Sequence, residues 1–157
     1  MEQKLTLREA RSILRAAVEK GAEVGWISAY AIADAGGNII AIQRADGAPA
    51  VAVPLAKAKA SLAALRGDVS FSFEEESEAH PVRFHGHLSL SRRPLFGGPG
   101  AAPIERDGQV VGGFSSSTSY AVSGMQITIN GKQYSREDVV TAHALQIDYD
   151  DQHPDTP

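Results

Sequence analysis

Trp26-Ile27-Ser28-Ala29-Tyr30-Ala31-Ile32-Ala33, then Asp34-Ala35-Gly36-Gly37-Asn38, then Ile39-Ile40-Ala41-Ile42-Gln43-Arg44 is the stretch on which the fold of this chain is decided. Its apolar, β-branched flanks suit a buried pleated surface, and the paired glycines supply the positive φ angles of a short reversal, so the stretch reads as a tight hairpin. Asp34, and Asp46 just beyond, read as turn carboxylates that bond nearby backbone. Trp26 and Tyr30 lie four apart and share a strand face, expected in a core or a subunit contact.

Upstream, Thr6-Leu7-Arg8-Glu9 has the form of a capping box. It opens a helix whose apolar face is Leu7, Ala10, Ile13, Leu14, Ala17 and Val18, ended by Gly21 or Gly25. Downstream, alanine and leucine predict a second helix over roughly Val53 to Leu65, with Pro54 in its first turn and Gly67 as its stop. Ser72 to Ala79 reads as a short acidic helix, and Pro81 onward as loop or a second short helix. Glu105 to Phe114 is a strand-turn-strand unit on Asp107-Gly108. Met125 to Tyr134 alternates around Asn130-Gly131 as an extra hairpin, and a last helix follows Ser135. The expected fold is α+β: an antiparallel sheet of about five strands flanked by helices, in one domain over 1–147, with an acidic flexible tail over 148–157.

Fifteen basic against nineteen acidic residues give a net charge of −4, which disfavours nucleic acid as a partner. The absence of cysteine excludes disulfides, thiolate metal ligands and a cysteine nucleophile. No apolar run approaches the length of a membrane span and no secretory h-region follows Met1, so a cytoplasmic protein that does not engage a membrane is expected.

Asp34-Ala35-Gly36-Gly37, a strand, and Arg44-Ala45-Asp46-Gly47-Ala48 resemble the opening of the GlcG/HbpS-like proteins, also described as haem-degrading or domain-of-unknown-function 336 proteins. Lys59-Ala60 with Ala63 resembles the family's K-A-x-T-A helix, with Leu62 where threonine is common. Pro94 to Ile104 resembles a lengthened F-P-G-G-x-P-I element. The resemblance runs from about Leu5 to Gly113 and fades where Ser115 to Tyr120 intervenes. It implies a profilin-like sheet, a homo-oligomer, and a small-molecule ligand for which haem or another tetrapyrrole is the candidate cofactor.

The residues themselves offer candidate chemistry between 80 and 98. His80, His85 and His87 crowd together with Arg83, Arg92 and Arg93. On an extended strand His85 and His87 would project to one side and face a metal or a haem iron, or act as catalytic acid and base. The alternative is a solvated polar loop. Arg83, Arg92 and Arg93 can hold carboxylates bidentately, while Gly97 and Gly98 let backbone amides approach an anion; both features are equally the marks of a plain bend. Lys59 is a candidate cation for the same pocket, and because Lys57 is two residues away on the helix, at most one of them reaches a given site. No His-Glu-x-x-His or Gly-x-Ser-x-Gly motif is present. The function expected is binding of a tetrapyrrole or a carboxylated metabolite. The alternative is a small catabolic enzyme, an acid–base isomerase or hydrolase acting on a carboxylated ring-cleavage-type intermediate.

Overall fold

The computed structural model describes residues 4–68, 70–118, 126–129 and 132–152. Helix α1 (Leu7–Val24) opens on the predicted capping box: the Glu9 amide donates to Thr6 Oγ1 at 3.3 Å and the Thr6 amide to Glu9 Oε2 at 2.6 Å. Gly25, at φ +71°, closes it. The decisive hairpin forms β1 (Ala29–Asp34) and β2 (Ile39–Arg44). Its turn is tied by the Asn38 amide donating to Asp34 Oδ1 at 2.9 Å, and by Gly37 at φ +76°. Helix α2 (Ala52–Arg66) and the short helices α3 (Ser70–Ala79) and α4 (Pro81–Ser89) follow. Then come β3 (Ala101–Arg106), β4 (Gln109–Ser117), β5 (Gln126–Ile129), β6 (Lys132–Ser135) and α5 (Arg136–Gln152).

The sheet runs β2-β1-β4-β3 with every neighbouring pair antiparallel. It has four strands where about five were expected, because β5 and β6 pair with each other as a separate two-stranded sheet and extend neither edge. The Asn130-Gly131 turn proposed for that hairpin lies outside the described residues, as does Met125. The acidic segment read as a tail from Asp148 is helical to Gln152. Asp148 is buried and accepts from Arg106 Nη2 at 2.8 Å, so the helix continues through the expected boundary, held by an ion pair the linear sequence does not announce.

Alternation along β1 explains why neither face of that strand is polar. Tyr30 and Ile32 point into a core with Ile13, Leu14, Phe114 and Val140, under α1 and α5. Ala29, Ala31 and Ala33 meet Ala52, Ala56, Ala60 and Ala64 of α2 on the other face. Small side chains on both sides bring α2 almost onto the sheet. A Cβ on Gly113 would lie 2.7 Å from the Ala64 nitrogen and closer still to the Ala60 carbonyl. A third cluster, Leu62 with Phe73 and Phe84, fastens the α3–α4 hairpin to α2.

Candidate functional site

Residues 91–94 return beneath the hairpin turn, and a cleft of about 330 Å³ opens there. The turn gives Gly37, Asn38 and Ile39, α2 gives Pro54, Lys57, Ala58 and Ser61, and the returning segment gives Arg93 and Pro94. Each wall is locally fixed. Ser61 Oγ donates to the Gly37 carbonyl at 2.8 Å, joining helix to turn, and Asn38 Nδ2 donates to both Asp34 carboxylate oxygens at 3.2 and 3.3 Å. Arg93 Nη1 passes 3.2 Å from where a Cβ on Gly37 would stand. The guanidinium therefore lies over Gly37, where a side chain would crowd it.

Among the described residues neither Lys57 nor Arg93 forms an ion pair, and the cleft lining holds no carboxylate and no imidazole. Two uncompensated cations over walls that are otherwise mainly apolar are suited to an organic anion. No group of three His, Asp or Glu side chains is placed to hold a metal ion among the described residues.

Of the residues nominated from sequence, Arg93 lies in this cleft. Lys59, only 5 % exposed, faces the other way and donates from Nζ to the carbonyls of Pro99 and Ser116, both at 2.6 Å. It ties α2 to the glycine bend and to β4. Gly97 and Gly98 belong to that bend, and a Cβ on Gly97 would run into Phe84 and Phe73. His80 is the residue before α4, and Arg83, His85 and His87 are exposed on it, as is Arg92 beyond it. Because the segment is helical rather than extended, His85 and His87 stand about 200° apart around the axis and do not share a face. His85 sits edge-on to Phe84 at 5.6 Å.

Arg83 and His87, one turn apart, instead face α3. Glu76 accepts from Arg66 Nη2 at 2.6 Å, and this bond, followed by the charges of Arg83 and His87, holds its carboxyl below the usual range. The guanidinium of Arg66 also lies 5.5 Å over the Phe73 ring. The serine run of β4 is structural: Ser115 Oγ donates to the Ala56 carbonyl and Ser116 Oγ accepts from Trp26 Nε1 at 3.0 Å. Trp26 and Tyr30 are both core residues, and burial pushes the Tyr30 phenol well above its ordinary pKa.

Sequence reasoning missed Lys57, Asn38 and Ser61. The only available signal was the two-residue spacing of Lys57 and Lys59, which says that at most one of them reaches a given site but not which. The contact of α2 with β4 decides it by burying Lys59.

Comparison with known proteins agrees with this architecture. Protein GlcG of Escherichia coli K12 is 28 % identical over 109 residues, spanning 69 % of this chain and 77 % of that protein. The solved structure of HbpS superposes with a TM-score of 0.75 at 19 % identity, covering 94 % of this chain and 92 % of that one. The ORFY protein of Klebsiella pneumoniae, a domain-of-unknown-function 336 structure, gives 0.71 at 22 % identity, covering 95 % and 93 %. A PduOC structure solved as a haem complex gives 0.71 at 19 %, covering 92 % and 94 %. The family model described as haem-degrading protein HbpS-like matches residues 5–131, and with that span and this fold the chain belongs to the HbpS-like family.

Proposed function

We propose that the protein binds a small carboxylated organic molecule in the cleft between the β1–β2 turn, α2 and residues 91–94. The observation that carries this reading is the pair of cations, Lys57 and Arg93, left without counter-charge over mainly apolar walls. A carboxylate on Arg93 gains a bidentate, charge-assisted contact, and the organic remainder meets Ile39, Pro54, Ala58 and Pro94. At about 330 Å³ the cleft sits at the low end of the roughly 300–1,000 Å³ usual for ligand sites, which favours a compact acid.

A tetrapyrrole is the second reading, favoured by family membership and by the similar PduOC structure solved with haem. Its propionates suit Lys57 and Arg93. With no histidine in the lining, an imidazole for the iron would have to come from outside the cleft, where His85 and His87 are exposed. Retention is favoured over turnover because the lining holds no carboxylate and no imidazole to serve as acid or base. An assembly of identical copies belongs to the same reading.

Nuclear magnetic resonance titration with benzoate, succinate and haemin tests it. Shifts are expected at the Gly37 and Asn38 amides, and Arg93→Ala or Lys57→Ala should each weaken binding about 10- to 100-fold, as loss of a charge-assisted hydrogen bond does. Probes that leave those amides unmoved, or that bind both variants as well as the parent protein, overturn the assignment.

A further inference from the structure

The neutral donors of Gly37, Asn38 and Ser61 are committed within the fold before any ligand arrives. The Gly37 amide donates to the Asp34 carbonyl at 2.9 Å, the Asn38 amide to Asp34 Oδ1 at 2.9 Å, and Ser61 Oγ to the Gly37 carbonyl at 2.8 Å. Asn38 Nδ2 donates to both oxygens of the Asp34 carboxylate. Reversing that carboxamide would set its oxygen against two carboxylate oxygens, so the nitrogen is fixed on the Asp34 side. Asn38 lines the cleft and Asp34 does not, so the side-chain atom that Asn38 has left for a ligand is the acceptor Oδ1. Pro54 and Pro94 of the lining have no amide hydrogen to give. The side chains of the lining therefore meet a ligand with two cationic donors, Lys57 and Arg93, and with neutral acceptors, Asn38 Oδ1 and the lone pairs of Ser61 Oγ.

That division selects among organic acids. A molecule made only of carboxylate and hydrocarbon engages the cations and the apolar walls but leaves the acceptors to water, whereas one that also carries a donor engages both sets. The donor must lie close to the carboxylate, because Arg93 Nη1 passes over Gly37 and the next Cα, that of Asn38, is only about 3.8 Å further along the chain. Charge then decides which kind of donor it is. An ammonium group would stand beside Lys57 and Arg93 with no carboxylate in the lining to hold it, while a hydroxyl donates without adding a third positive charge.

We infer that the ligand is a hydroxylated carboxylic acid, with its carboxylate on Arg93 and a neighbouring hydroxyl donating to Asn38 Oδ1. The inference rests on the reading that the cleft takes a carboxylate. Succinate, malate and aspartate share a carbon skeleton and differ at a single carbon by hydrogen, hydroxyl and ammonium, so nuclear magnetic resonance titration of the full chain with all three isolates the donor. Malate is expected to bind about three- to tenfold more tightly than succinate, as one added neutral hydrogen bond provides, and aspartate more weakly than either. In Asn38→Ala the affinities for malate and succinate should come within about twofold of each other. This ratio is insensitive to a general loosening of the turn, because the two acids share every other contact, and the comparison in the parent protein carries the test if the variant fails to fold. Malate binding no tighter than succinate, aspartate binding as tightly as malate, or a ratio unchanged in Asn38→Ala would each overturn the inference, while succinate shifts at the Gly37 and Asn38 amides would leave the carboxylate reading in place. If none of the three acids moves those amides, the carboxylate reading fails and this inference with it.

Discussion

Gly113→Ala is the substitution that connects the fold most directly to the cleft. The added methyl would stand 2.7 Å from the Ala64 nitrogen and closer still to the Ala60 carbonyl, whereas ordinary contact begins at 3.4 Å. Both neighbours are backbone atoms of α2, which no rotamer change can clear. The helix must retreat by about 1 Å, a gap that forfeits a quarter to a half of the dispersion attraction of the atoms it separates. Those atoms are the alanine layer joining α2 to β1, and alanines have no reach with which to refill the space. Overpacking of this kind costs about 1–3 kcal/mol, and a backbone-to-backbone clash belongs at the upper end. At roughly 2–4 °C per kcal/mol for a chain of this size, Tm should fall by about 6–12 °C. The same retreat carries Lys57, Ala58 and Ser61 away from the Gly37 turn, so the carboxylate probes should bind more weakly in protein that remains folded. Calorimetry and titration read the two effects separately. A variant melting within about 2 °C of the parent would refute the claim that α2 is seated by direct backbone contact with β4.

Two further expectations concern charge. Arg106 and Asp148, both 7 % exposed, join β3 to α5, and Arg106 also reaches Glu9 of α1 at 3.1 Å. Asp148→Ala should cost about 3–5 kcal/mol in denaturant unfolding, as removal of one partner from a buried pair does; a loss under about 1 kcal/mol would show that α5 is held by its apolar face alone. Acid stability is the second. For Glu9, burial raises the carboxyl, but hydrogen bonds from Thr6 and Arg106 outweigh it, and Glu76 is lowered chiefly by Arg66. Carboxyls depressed in the folded state contribute stability that is complete above their ordinary value of 4.5 and lost as pH falls through the lower folded value. Tm should therefore fall as pH drops below about 4.5, and less steeply in Arg66→Ala; equal slopes in parent and variant would remove Glu76 from the account.

Local signals in this chain were legible where they reported local physics. The capping box, the Asp34–Asn38 turn and the Asp107-Gly108 turn each specify backbone within a few residues, and each appears in the fold at its expected place. The four-stranded sheet was harder to read, because periodicity announces a strand without naming its partner, and the last hairpin pairs only with itself. The region from 80 to 93 read as loop or a second short helix, and the structure forms the helix over Pro81–Ser89; the ambiguity has a physical reason. His-Pro-Val-Arg-Phe-His-Gly-His carries β-branched, aromatic and glycine residues that weaken a helix, and only the docking of Phe84 and Leu88 on the third cluster supplies what local propensity lacks.

The candidate site was less legible than the fold because its residues come from a turn, a helix and a returning loop that meet only through packing. Histidine density drew attention to α4, yet imidazoles are abundant there on an exposed helix, while the cleft is built of proline, alanine and two cations. Those two cations share one lining that holds no carboxylate, and neither forms an ion pair among the described residues. The chain has four more acidic than basic residues, so carboxylates to neutralise Lys57 and Arg93 are not scarce. Arg66 and Arg106 are both paired, and Lys59 is satisfied by carbonyls. On the proposed reading, a carboxylate held by Arg93 supplies the counter-charge that the lining itself lacks, which is why charge rather than histidine density marks this cleft.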